Sequence, residues 1–318
     1  MDSLQGLVDH VHELAHVQNP FATPWANHFL NAAQWLAVFR SFVDSNNEDG
    51  IRGMRRWSTL ETVSIVRSWR NTDPIFRAIN GTLTYSDPQR MPHVSRSLMC
   101  PVFVVSADSL DTGLHLAVRG HNPAVLNLAS FLNPGGGYKR GDAAQEENLC
   151  RRSALWACID QELSPSAKIR YPWPPMYSVY SPAVPVFRAS EAQGFAAFDR
   201  PVAISFVSVA AVKNPPLTRD GRLEPFEHRL MSQKIHLAFQ TALAHRHDVF
   251  VLGALGCGPP YFGALVFAIL GRDNASIFAQ AFDVSPCDLA ALPAIPPARL
   301  PLVVAPPWEL VIAVKMTQ

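Results

Sequence analysis

The chain has 318 residues, of which 48% are apolar and 17% charged, and its formal net charge is +1. This is enough chain for a large core, as one enlarged domain or two small ones. The near-zero charge excludes a global field that gathers nucleic acid or an anionic membrane, so a polyanionic ligand has to be held locally. No apolar run reaches the roughly eighteen residues of a membrane span, and Met1-Asp-Ser-Leu lacks the start of a secretory signal. The five cysteines (100, 150, 158, 257 and 287) are odd in number and scattered, without a Cys-x-x-Cys or a Cys/His cluster. A disulfide framework and a zinc site are therefore not expected, and an intracellular, reduced protein is.

In chain order, Leu4, Leu7, Val8, Val11 and Leu14 follow a helical stripe that Asp2 or Ser3 can cap. Pro20 and Pro24 break it before a second apolar, aromatic stretch from about Phe29 to Val43. Ser45-Asn-Asn-Glu-Asp-Gly50 reads as a turn or short linker. Residues 1–95 are taken as a helical extension packed on the remainder. From about residue 98 short β-branched runs alternate with helical ones: strands are expected at Val102–Ser106, Val125–Leu128, Ala203–Val209 and Val249–Leu252. Met231, Ile235, Ala238, Phe239 and Ala242 recur at helix spacing between the last two. Such alternation predicts a layered α/β domain with ligand loops at the carboxyl ends of the strands. This domain is expected over 96–318, ending in a proline-rich segment, 289–318.

The most informative stretch is Asn133-Pro134-Gly135-Gly136-Gly137, followed after seven residues by Gln145-Glu146-Glu147. Glycines let main chain approach a phosphate or sugar closely and aim N–H groups at it. Paired carboxylates against such a ligand suit acid-assisted cleavage of a glycosidic bond. Asp142, three residues before Gln145, has the spacing of a capping box, which puts both glutamates in the first turn of a helix running through Leu149, Leu155, Trp156 and Ile159. The positive helix end lowers a Glu pKa, whereas burial, a neighbouring carboxylate and a diphosphate raise it. A rise of about 3–4 kcal/mol would bring a Glu from ~4.3 to near 7. The plain alternatives are acids that only complement the helix dipole and glycines that only form a turn.

The segment Val125-Leu-Asn-Leu-Ala-Ser-Phe-Leu-Asn-Pro-Gly-Gly-Gly-Tyr-Lys-Arg-Gly-Asp-Ala-Ala-Gln-Glu-Glu-Asn-Leu-Cys-Arg-Arg-Ser153 resembles the microbial type of poly(ADP-ribose) glycohydrolase, a variant of the macrodomain. The family pattern is a Gly triplet, six to eight residues, then Gln-Glu-Glu. Weaker likeness occurs at Glu61-Thr62, Ser106–Leu110, Tyr180–Arg188 and Leu252–Gly258. The resemblance implies a three-layer αβα sandwich with a mixed central sheet. It also implies a metal-independent and cofactor-independent hydrolase that releases ADP-ribose from poly(ADP-ribose).

By this resemblance Glu147 is the general acid and then base, Glu146 binds ribose hydroxyls, and Gln145 orients the pair or contacts the ligand. Gly135, Gly136 and Gly137 wrap the distal ribose and phosphate, with Asn133 and Asn127 supplying hydrogen bonds. Gly253-Ala-Leu-Gly-Cys-Gly258 becomes a second phosphate loop, contributing Gly256, Cys257 and Gly258. Tyr138 and Phe262 are the candidate aromatic contacts to ligand rings, with packing as their alternative. Asp108 either accepts from the adenine amino group or caps the following helix. Arg188, Arg151 and Arg152 either assist the phosphates or hold structure. Pro259 and Pro260 depart from the family's second loop and remove two N–H donors. Expected partners are poly(ADP-ribose) and ADP-ribosylated proteins, with no sequence-specific nucleic-acid binding, no membrane and a monomeric state. A non-catalytic ADP-ribose reader is the first alternative function, and a mono-ADP-ribosyl hydrolase the second.

Overall fold

The computed structural model describes residues 30–69, 73–86, 102–219, 223–253, 264–268 and 285–293, with isolated positions 6, 8, 9, 11, 276 and 279. The first predicted helix falls mostly outside these; its described positions 6, 8, 9 and 11 are helical. Helix α1 (Ala32–Asp44) starts in a capping box, Gln34 N donating to Asn31 Oδ1 at 2.9 Å and Asn31 N to Gln34 Oε1 at 3.2 Å. The predicted turn at 45–50 shrinks to three residues. Asn47 accepts from Gly50 N at 2.9 Å and starts α2 (Glu48–Ser68), with Glu48 and Asp49 at its positive end. This long helix is not among the predicted elements, because the polar cluster that reads as a linker is its own cap. Next come α3 (Asp73–Gly81), β1 (Leu83–Tyr85), β2 (Val102–Val105), α4 (Ser109–Val118) and β3 (Pro123–Leu128). Then follow α5 (Gln145–Arg152), α6 (Leu155–Ile159), β4 (Ser178–Arg188) and β5 (Ala197–Val209). The last are α7 (Pro225–Ala244), β6 (Val249–Leu252) and β7 (Ala264–Ala268).

The described residues fall into two compact units. The first draws on Met1–Gly81, Leu132–Tyr171 and Ala183–Ala203, and the second on Thr82–Phe131, Pro172–Pro182 and Ile204–Gln318. In the first unit Trp35, Val38 and Phe42 of α1 and Met54 and Trp57 of α2 form one buried cluster with Phe195. The Trp35 indole N–H donates to Ser58 Oγ at 2.8 Å, so the aromatic is buried without stranding its polar edge. The same unit holds α5, α6 and the loop before them.

The second unit is built on a seven-stranded sheet of order β1-β4-β5-β3-β6-β7-β2. β3 pairs in parallel with β5 and β6, β6 with β7 and β7 with β2, whereas β1 and β4 are antiparallel. The mixed sheet expected from the family is present. β1, β4 and β7 are not among the predicted strands; Pro182 and Pro185, which cannot donate to a ladder, obscure β4 in the sequence. Side chains alternate across a strand. Val125 therefore faces Gly113 of α4, while Ala124 and Leu126 join Ala238, Phe239 and Ala242 of α7 in the main core. Helices cover opposite faces of β3, which makes three layers.

At one end of this sheet the His245 ring stacks on Tyr180 (centroids 3.5 Å apart, 8° between planes), and its Nε2 lies 2.7 Å from the Tyr85 hydroxyl. His247 Nε2 meets the Tyr180 hydroxyl at 2.9 Å. Burial, and then His247, lower the His245 pKa to about 4. Unfolded histidine titrates at ~6.5, so in the window between these values the unfolded chain binds the extra proton. The contribution of His245 is complete above that window and falls as pH drops through it. Urea unfolding is expected to show a lower midpoint at pH 5 than at pH 7.5, and His245→Gln a weaker dependence over the same range.

Candidate functional site

The Gly-triplet loop and the paired acids lie in the first unit. Helix α5 starts without a side-chain cap: its N-cap is Ala144, and the expected capping box from Asp142 is not formed. Competing charges explain the difference. The Asp142 carboxylate takes a hydrogen bond from Arg140 Nη2 at 2.9 Å and lies 3.8 Å from Arg52 Nη1. The helix is also shorter than predicted. Ser153 is extended (φ −145°) and its hydroxyl donates to Leu149 O at 2.7 Å, so Leu155 to Ile159 belong to a separate short helix, α6.

Gly135 and Gly136 have φ of 66° and 60°, a conformation costly to residues with a Cβ. Space makes the requirement at Gly136 stricter. A Cβ there would stand 2.3 Å from Glu147 Oε1 and 3.2 Å from Glu146 Oε2. The glycines thus close over both carboxylates, and the Gly137 N–H donates to Glu147 Oε1 at 2.7 Å. Glu146 and Glu147 are 2% and 7% exposed. Glu147 Oε2 is buried and has no hydrogen-bond partner among the described residues. One carboxylate oxygen is anchored and the other is left over.

A polar lattice supports this cradle. Arg151, one helical turn beyond Glu147, is fully buried. Its Nε donates to Arg55 O (3.1 Å) and Thr59 Oγ1 (3.2 Å), and its Nη2 to Tyr138 O (3.3 Å) and Asp142 O (2.6 Å). Burial lowers its pKa to about 10, which still leaves it charged near neutrality. The Thr59 hydroxyl lies 3.0 Å from both Arg55 O and Tyr138 O, and the Thr62 hydroxyl donates to Arg151 O. Beneath the loop the Tyr138 hydroxyl donates to Asp160 Oδ2 (2.7 Å), which Lys139 Nζ also meets at 2.8 Å. Desolvation, and then the charge of Asp160, push the Tyr138 phenol well above its ordinary value. Cys150 below the loop is a free, buried thiol raised chiefly by desolvation.

The other predicted residues are distributed as follows. Tyr138 is fully buried with its hydroxyl spent on Asp160, so it supports the loop from below and offers no ring to a ligand. Asn133 closes the start of the glycine turn, its carbonyl accepting from Gly136 N at 3.1 Å. Gln145 is the first residue of α5 and partly exposed. Asp108 and Asn127 belong to the second unit. Asp108 caps α4 through Leu110 N and Asp111 N (2.9 and 3.0 Å), and the buried Asn127 donates to Ser208 Oγ at 3.0 Å. Gly256, Cys257, Gly258 and Phe262 lie outside the described residues. Arg188 is a buried structural cation, bonded to Glu61 and to Ser58 O, and Arg152 Nε donates to Arg188 O at 3.2 Å. Among the described residues no three His, Cys, Asp or Glu side chains group so as to hold a metal, and no helix is long and apolar enough to cross a membrane. Sequence reading missed Thr59, Asp160 and the reach of Arg151. The available cue was Arg55, Thr59 and Thr62 at helical spacing, a polar stripe along one side of the helix.

Gly136→Ala combines a left-handed backbone with a collision at the Glu147 carboxylate. It is expected to lower stability by about 1–3 kcal/mol in urea unfolding. Gly120→Ala is the control: Gly120 has a φ of 89° and nothing within 4 Å of the space a methyl group would fill, so only the backbone cost applies. Equal losses for the two variants would mean that Gly136 is not needed to clear space for the acid.

Residues 65–189 match the family model described as "Microbial-type PARG, catalytic domain". No curated protein sequence gives a significant match. Among solved structures, poly(ADP-ribose) glycohydrolase from Thermomonospora curvata is similar at 26% identity, over 67% of this chain and 92% of that one, with a TM-score of 0.54. The same enzyme bound to the inhibitor ADP-HPD is similar at 25% identity, over 71% and 98%, with a TM-score of 0.55. The glycohydrolase from Deinococcus radiodurans in complex with ADP-ribose shares the fold at 21% identity, over 66% and 97%, with a TM-score of 0.51. The glycine triplet that closes over Glu146 and Glu147 thus lies within residues 65–189, the stretch that matches the microbial-type PARG catalytic-domain model, in a chain whose α/β fold is similar to that of the Thermomonospora curvata enzyme.

Proposed function

We propose that this chain is a hydrolase that cleaves the ribose–ribose O-glycosidic bonds of poly(ADP-ribose) and releases ADP-ribose, with Glu147 as the general acid and base. The observation that carries the role of Glu147 is its divided carboxylate: Oε1 accepts from Gly137 N at 2.7 Å, and Oε2 is buried without a partner among the described residues. A proton on Oε2 passes to the departing 2′-oxygen as the bond to the ribose anomeric carbon breaks. The same oxygen, now a carboxylate, takes a proton from the water that attacks the oxocarbenium-like ribose, and the acid is regenerated. Holding Oε1 fixes the carboxyl plane, so proton delivery needs no search over side-chain rotamers.

Glu146, buried beside Glu147 against Gly136, is assigned to the ribose hydroxyls. Gln145, Asn133 and the glycine turn line the same segment. Asn127, with Asn133, is proposed for hydrogen bonds to the distal ribose and phosphate, and Asp108, Gly256, Cys257, Gly258 and Phe262 for the nucleotide and diphosphate. On this reading residues 96–318 carry the catalytic domain, residues 1–95 form a helical extension, and ADP-ribosylated proteins are the source of the polymer. Neither a metal nor a cofactor is called on.

The test uses labelled poly(ADP-ribose) with the unmodified chain, Glu147→Gln and Glu147→Ala, following released ADP-ribose and polymer binding separately. Release is expected from the unmodified chain and to fall at least about 100-fold in both variants, the lower range for loss of a general acid, with binding retained in Glu147→Gln. Binding without release from the unmodified chain would identify a reader instead. Absence of both would end the assignment.

A further inference from the structure

We infer that the Thr59 hydroxyl on α2 is a positioning group for Glu147, acting through Arg151 and the Tyr138 carbonyl. The inference rests on the proposed hydrolase reading. It brings into the reaction a helix whose stretch up to residue 64 precedes the matched residues 65–189.

The path is short and buried throughout. Glu147 Oε1 is held by the Gly137 N–H at 2.7 Å. The adjoining Tyr138 carbonyl receives Arg151 Nη2 at 3.3 Å and faces the Thr59 hydroxyl at 3.0 Å. Arg151 Nε in turn donates to Thr59 Oγ1 at 3.2 Å. The turn itself is closed on the Gly137 carbonyl, which accepts from Arg140 N (2.8 Å) and Asp142 N (3.2 Å). Thr59, Tyr138 and Arg151 are each 0% exposed, so water cannot replace a lost contact without opening the core.

Thr59 is the one member of this path that can be changed without altering charge, helix propensity or volume much. A hydroxyl has one proton, so Thr59 donates to Arg55 O or Tyr138 O in turn while accepting from Arg151. Its removal leaves Arg151 Nε with the Arg55 carbonyl alone and frees the Tyr138 carbonyl from its α2 contact. The Gly137 amide and the carboxylate that it anchors then lose their fixed orientation, although both glutamates remain.

The experiment compares the unmodified chain, Thr59→Val and Thr59→Ser by kcat and KM on poly(ADP-ribose), and by hydrogen exchange at the Gly137 amide. Thr59→Val is expected to lower kcat about tenfold with KM within about twofold, and to speed Gly137 exchange about tenfold, the effect of one hydrogen bond. Thr59→Ser, which keeps the hydroxyl, is expected to recover both. The inference is overturned if kcat and Gly137 exchange are unchanged in Thr59→Val. It is equally overturned if amides throughout the unit exchange faster together, because that is a loss of stability and not of position. Should Thr59→Val fail to fold, Thr59→Ala, which also removes the hydroxyl and favours the helix, takes its place with the same expectations. If the unmodified chain releases no ADP-ribose, the hydrolase reading fails by itself, and Gly137 exchange still decides whether Thr59 orders the turn.

Discussion

A single buried cation organises the acid site. Arg151 is enclosed completely, and its four acceptors (Arg55 O, Thr59 Oγ1, Tyr138 O and Asp142 O) are neutral oxygens. A buried charge is costly unless its donors are satisfied, so the segments that supply those oxygens must come together or the fold loses several kcal/mol, on the order of what breaking a buried pair costs. Three of the acceptors are main-chain carbonyls, which hold backbone in place as well as side chains. The glycine turn, helix α2 and helix α5 are therefore fixed by one constraint.

The turn shows how backbone chemistry and acid chemistry depend on each other. Glycine at 136 is required by its left-handed φ and also by the carboxylate that occupies the space of a side chain. In the sequence the three glycines point to room for sugar and phosphate. In the fold their first consequence is internal: they bring an amide N–H onto Glu147 and let the loop close over both acids. The role of Asp142 changes for a related reason. Arg140 and Arg52 engage its side chain, while its carbonyl joins the Arg151 set. Helix α5 starts uncapped, with Glu146 and Glu147 in its first turn.

Burial also separates two kinds of aromatic and basic residue that look alike in sequence. Tyr138 beside a glycine loop suggests a ligand contact, yet its hydroxyl is tied to Asp160 and its ring lies under the turn. Arg188 and Arg152 suggest phosphate binding, yet both donate to protein oxygens inside the first unit. In each case the tertiary fold supplies a partner that lies far away in the chain, as for Arg188 and Glu61.

What the sequence alone determined follows from local rules. The strand-and-helix alternation after residue 98, helix α7 from its apolar stripe, and the glycine–acid segment all depend on neighbours within a few residues, and each was legible. The glycine and glutamate spacing also carried the likeness to the family. The tertiary structure decided what distance in the chain conceals. Pro182 and Pro185 hid a strand that pairing with β1 reveals, and the polar run at 45–50 hid the start of α2. Thr59 and Arg151, 92 residues apart, became partners only through packing. A hydrogen bond between remote residues leaves no periodicity, because its energy comes from burial that the whole fold creates.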